Sequence, residues 1–98
     1  MYMVVRKYRT KPEASIEEIV QRVQEGFVPI VSQTPGFVAY HIVNTGNDTV
    51  ASVTLFQDQA GADESTRRAS DWVSLNLISL LQIPAEITAG EVLFSKTS

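Results

Sequence analysis

The side chains able to do chemistry are few. The chain has one histidine, His41, one tryptophan, Trp72, three tyrosines and no cysteine. His41 is the only side chain whose ordinary titration falls near neutrality, which suits a general base. Trp72 and Asn76 stand four residues apart, one turn on the same helix face. Together they offer an apolar wall and an amide, and they mark a pocket. An asparagine buried among apolar neighbours must find hydrogen-bond partners, and a bound ligand or the backbone could supply them. Tyr40, like Tyr2 and Tyr8, offers a phenolic donor, although strand aromatics also serve as cross-strand packing. A base, one or two donors and an apolar wall suit proton removal from a small molecule and stabilisation of the resulting anion. The plainer alternatives stay open: His41 solvated near a strand end, Trp72 as core, Asn76 bonded to backbone.

Other chemistries are excluded. Without cysteine there is no disulfide, zinc–thiolate site or iron–sulfur cluster. A single histidine and dispersed carboxylates make no metal site, and there is no phosphate loop or nucleophile elbow. The net charge of −3 and scattered basic residues argue against a nucleic-acid partner. Arg67 and Arg68 lie four residues after Asp63 and Glu64, and Arg22 four after Glu18, so each has a surface partner on its own helix. The apolar stretch from Trp72 to Ile83 is broken by Ser74, Asn76 and Ser79. It falls short of the ~20 residues of a membrane span, so no membrane partner is expected. The N-terminus runs apolar first and basic second, the reverse of a signal peptide, and the chain reads as cytoplasmic.

The elements that must position these residues follow from periodicity. Met1 to Thr10 reads as a strand ending at Lys11-Pro12. Ser15 and Glu18 form a capping box, and apolar residues from Ile16 to Val31 make a helical stripe. Pro29 has no N–H for the Glu25 carbonyl and predicts a kink near Gly26. Phe37 to Val43 and Val50 to Phe56 read as a hairpin around Asn44–Asp48. Asp58 caps a second helix ending by Pro84. Its inner face reads Ala62, Ser65, Ala69, Trp72, Val73, Asn76, Leu77 and Leu80. Glu86 to Ser95 is the last strand, with Gly90 a bulge or bend. The order βαββαβ over residues 1–98 is a single α+β domain, a ferredoxin-like four-stranded antiparallel sheet with both helices on one face.

Alternation raises a second expectation. Phe37, Ala39, His41 and Val43 point one way and Val38, Tyr40 and Ile42 the other, and both sets are largely apolar. The first strand is similar, so both sheet faces need cover. A second copy related by two-fold symmetry supplies it, and a homodimer is expected. A charge on the helix-free face, at Ile42 for example, should then be disruptive.

Pro35-Gly36-Phe37 before the second strand, Ser52 to Phe56 in the third, Ala69-Ser70-Asp71-Trp72-Val73 in the helix and Gly90-Glu91-Val92 at the end form a pattern. It resembles the antibiotic-biosynthesis-monooxygenase-like branch of the dimeric α/β-barrel superfamily, over almost the whole chain. The resemblance implies two sheets facing each other as a barrel, with a pocket between each protomer's sheet and helices. It also implies a cofactor-independent monooxygenase, free of metal and flavin, acting on a small aromatic or polyketide-like molecule. His41 would then be the catalytic base, and Trp72, Asn76 and Tyr40 would hold substrate. The haem-degrading branch carries an Asn on the first strand and a His after the helix Trp. Here the first strand has no Asn, and Gln82 stands ten residues beyond Trp72, against that chemistry. A non-catalytic small-molecule-binding or structural homodimer is the alternative.

Overall fold

The structure, a computed structural model, describes residues Met1–Ser98. Strand β1 (Tyr2–Thr10) is followed by a helical rod of three parts: α1 (Ile16–Arg22), a π-helical turn (Val23–Phe27) and α2 (Val28–Val31). Strands β2 (Phe37–Gly46) and β3 (Thr49–Phe56) come next, then α3 (Gln59–Asn76) and β4 (Leu81–Glu91). The antiparallel sheet has the order β2-β3-β1-β4, the ferredoxin-like arrangement. No helix is long and apolar enough to cross a membrane.

Local chemistry explains the element ends. Ser15 Oγ accepts from the Glu18 N–H, while the Glu18 carboxylate reaches forward to Arg22 at 3.2 Å. The capping box is therefore made on one side only. Asp58 caps α3 by accepting from the Gly61 N–H at 3.0 Å. Asn47 and Asp48 both adopt positive φ, as a tight two-residue hairpin turn requires. This carries β2 through Gly46, three residues past the expected end.

The expected kink takes the form of the π-turn. The Val28 N–H bonds to the Val23 carbonyl, five residues back. The buried residues Ile19, Val23, Phe27 and Val31 recur at strict four-residue spacing. In a pure α-helix that spacing drifts ~40° per step around the axis. A π-turn winds less per residue and takes part of the drift back, and Pro29 asks for no bond that the widened turn has lost.

Three expectations are corrected. The second helix ends at Asn76, well before Pro84, because the chain turns at buried Leu77, whose carbonyl accepts from the N–H groups of Leu80 and Leu81. Strand β4 therefore begins at Leu81. Its irregularity lies opposite Lys7–Arg9, around Pro84, while Gly90 pairs regularly with Met3. An edge-strand bulge is where a proline costs no ladder bond. Thirdly, β2 has a bulge at Val38, between the pairs Phe37↔Phe56 and Ala39↔Leu55. One extra residue reverses the alternation, so Phe37 shares the helix-side face with Tyr40 and Ile42 instead of siding with Ala39 and His41. Ile42 thus lies under the helices and is not on the open face.

The core lies between sheet and helices, centred on Phe56, Ile19, Val4 and Leu77. The open face carries half-buried Met3, Val5, Val53 and Leu55, with exposed Val38 and Val43 beside them.

Candidate functional site

A partly open cavity lies in the protomer, between the helix side of the sheet and the helices. Its walls are mostly apolar, with Phe27 and Val23 from the π-turn, Trp72 and Val73 from α3, and Val4 from β1. The polar side chains are concentrated on the sheet floor. Arg6 and Tyr8 come from β1, Tyr40 from β2, and Ser52 and Thr54 from β3. Strand alternation selects them: residues 6 and 8 share a face, as do 52 and 54, and register sets Tyr40 opposite Thr54. The free volume is about 40 Å³, water-sized and not ring-sized, since a single water needs ~10–15 Å³ by this kind of measure. A ring compound needs the wall to move.

Trp72 is part of that wall. It is half-buried, and its ring lies 5.6 Å from Phe27, which in turn lies 5.9 Å from Tyr40. The indole crosses directly over Gly26, where a Cβ would stand 2.6 Å from Trp72 Cζ2. The π-turn thus presents its one glycine where the tryptophan needs the space.

Arg6 was legible only as part of a basic run with Lys7 and Arg9, and it is the residue that sequence reasoning missed. It is 5 % exposed. Its Nε and Nη2 donate to the Tyr8 hydroxyl at 3.4 and 3.2 Å, and its Nη1 to the Thr66 carbonyl at 3.3 Å. It has no carboxylate partner: the ion pairs of the protein are Arg22 with Glu18, and Arg67 and Arg68 with Glu64. An arginine cannot shed its charge as a lysine can. A buried ion without a counter-charge costs on the order of several kcal/mol. The signal available in the sequence was parity: Val4, Arg6 and Tyr8 alternate with Val5 and Lys7, so an apolar-face assignment of Val4 and Tyr8 carries Arg6 inward.

Tyr40 is the second unusual group. Burial pushes its phenol up to about 12, an effect opposed by the neighbouring Ser52 hydroxyl. At neutral pH it is a protonated donor.

The structure unites Tyr40 and Trp72 at the cavity and sends the other two expected site residues elsewhere. His41 is adjacent to Tyr40 on β2, so the two must point to opposite faces. Tyr40 takes the cavity, and His41 is exposed on the open face opposite Val53. The base role at this cavity is therefore withdrawn from His41. Asn76 has a suitable angle around the helix axis but is the last residue of α3. It is exposed, and its Nδ2 donates to the Trp72 carbonyl at 2.9 Å. The backbone-bonded alternative holds, and the amide does not line the cavity. No group of three or more His, Cys, Asp or Glu side chains converges anywhere in the chain.

A family model described as antibiotic biosynthesis monooxygenase matches residues 1–70. No curated protein matches. Among solved structures, a protein of unknown function, NE2512 from Nitrosomonas europaea, superposes with a TM-score of 0.78 at 20% identity, covering 99% of this chain and 93% of that one. SnoaB, a cofactor-independent oxygenase from Streptomyces nogalater, gives a TM-score of 0.72 at 11% identity, with 96% and 94% covered. HapK from Hahella chejuensis gives 0.73 at 17% identity, with 100% and 98% covered. At these identities the structures attest the fold.

Proposed function

The chain belongs to the antibiotic biosynthesis monooxygenase family, and from that premise we propose that it is a cofactor-independent monooxygenase of a small aromatic or polyketide-like molecule, working as a cytoplasmic homodimer. The observation that carries this reading is the cavity itself, a mostly apolar chamber with a cation and hydroxyl donors concentrated on its sheet floor. Such a wall stabilises negative charge on a substrate oxygen. The chemistry then rests on the substrate. An enolate or phenolate with an activated CH₂ gives its electrons to O₂ and forms a C–O bond to a peroxide. Loss of water leaves a carbonyl: CH₂ plus O₂ gives C=O plus H₂O, with the substrate as its own reductant. In this scheme Arg6 and the Tyr40 phenol hold the substrate oxygen, and Trp72 with the other apolar walls limits the water that reaches the carbanion.

The similarity to SnoaB supports this class. The test is oxygen uptake with an anthrone-type tricyclic phenol in the presence of a chelator, under ¹⁸O₂. The expected product gains one labelled oxygen and loses two hydrogens, and Trp72→Ala lowers the rate at least tenfold. Absence of uptake across phenolic and enolic CH₂ compounds would remove the monooxygenase reading. The lining favours a second reading, a binding domain without turnover, because it offers donors and apolar walls but no carboxylate or imidazole base. Tight binding of an aromatic ligand, recovered chemically unchanged under O₂, would support it.

A further inference from the structure

We infer that the ligand of this cavity enters as an oxyanion, already ionised at neutral pH, and that Arg6 is the group that receives it. The inference deepens the site reading above and names the substrate class.

Arg6 lies among the cavity residues, more than nine-tenths buried, with no carboxylate in ion-pairing distance. Its three hydrogen bonds go to neutral oxygens at 3.2–3.4 Å. A guanidinium has five N–H donors, so each terminal nitrogen keeps one N–H uncommitted. Buried charges in folded proteins are paired, and here the protein supplies no pair. A planar oxyanion, whether a carboxylate or an ionised enol or phenol, fits the fork of donors and completes the charge.

The cavity contains no base. His41 is on the opposite face of the sheet, a guanidinium has no acceptor to offer a proton, and the Tyr40 phenol is held in its neutral form by burial. A ligand that is an oxyanion in this cavity finds no base there to make it so, and therefore brings its charge with it. The hydroxyls of Tyr8, Tyr40 and Ser52 border the same floor and can only reinforce an acceptor placed there.

A purely structural role is the competing account, in which Arg6 ties β1 to α3 through the Thr66 carbonyl. The two accounts separate in a calorimetric titration of the intact protein with a matched pair, benzoate and its neutral isostere benzamide. Benzoate is expected to bind roughly tenfold or more tightly, the size of a charge-assisted bond. Arg6→Met should bring the ratio to about one, and Arg6→Lys should keep a preference for benzoate. A 4-nitrophenol series taken across the ionisation of the phenol separates the sources of the oxyanion. Affinity rising with ionisation points to phenolate or enolate ligands, and benzoate binding without that rise points to carboxylates. If wild-type protein binds benzamide as well as benzoate, or binds no benzoate, the inference is overturned. Should Arg6→Met fail to fold, the wild-type pair and Arg6→Lys still decide it. Benzoate preference without oxygen uptake would leave the anion site standing and remove the monooxygenase. Oxygen uptake on a substrate that stays neutral, unaffected by Arg6→Lys or Arg6→Met, would do the reverse.

Discussion

At the scale of single residues, the cavity floor pairs an arginine that cannot be neutral with a tyrosine that resists becoming charged. Burial holds the Tyr40 phenol at about 12 against an ordinary 10.0. Its folded-state value lies above the unfolded one, so its contribution to stability is complete below pH 10 and is lost as pH climbs toward 12. Two units correspond to about 2–3 kcal/mol. Tyr40→Phe should therefore flatten the fall in stability over that window, measured by urea unfolding at stepped pH. An equally steep fall in the variant would remove the assignment. Glu64 behaves in the opposite sense: its hydrogen bonds from Arg67 and then Arg68 hold its carboxyl below the usual range, so that contribution is lost on acidification. Of the four residues named from the sequence, Trp72 and Tyr40 reach the cavity. His41 and Tyr40 could never both do so, because neighbours on a strand face opposite ways. Nothing in the alternation says which face the helices take, and the bulge at Val38 reverses the phase between Phe37 and Tyr40. Arg6 was overlooked because a charged residue in a basic run reads as solvated surface.

The elements were more legible than the residues, because capping, alternation and apolar stripes are local signals. Those of β1, the rod, the hairpin and α3 all agree with one another. What local signals do not carry is close approach between distant segments. Gly61 reads from sequence as a slight weakness in the first turn of α3. In the fold a Cβ there would stand 2.6 Å from the Pro35 carbonyl oxygen and 3.0 Å from Phe56, so the glycine sets how closely α3 seats on the sheet. Gly26 does the same for Trp72. In Gly26→Ala the helix gains up to ~1 kcal/mol in propensity, against ~1–3 kcal/mol for overpacking the indole. Overpacking should win by about 1 kcal/mol. The ring is pushed outward, so the emission of the sole tryptophan should shift to the red. Unchanged emission with raised stability would show that the indole yields freely. Asp58→Ala should cost ~1 kcal/mol by removing the cap on the Gly61 N–H, and Asp58→Asn should restore most of it.

For the whole molecule, the sheet has helices on one side only, and its other side combines an apolar centre with exposed polar positions such as Lys7, His41 and Glu86. Met3, Val5, Val53 and Leu55 form an apolar centre there, with Val38 and Val43 exposed at 41% and 43%. A monomer with that face bare would present a contiguous apolar patch of the kind soluble monomers rarely carry. The homodimer proposed above covers it by sheet-to-sheet packing about a two-fold axis, where each open face meets its own copy. The two faces can be told apart by placing one charge on each. Leu55→Asp lies at the centre of the open face and should split the dimer, with the protomer keeping its fold and its cavity. Ile42→Asp lies on the cavity side. It should lower thermal stability by replacing a packed apolar side chain with a carboxylate that must be desolvated, while the folded fraction stays dimeric. Light scattering after gel filtration, with circular dichroism on the same fractions, reads both outcomes. A wild-type monomer at micromolar concentration would overturn the two-fold packing. So would a Leu55→Asp variant that remains dimeric, and the open face would then need a different explanation for its apolar surface.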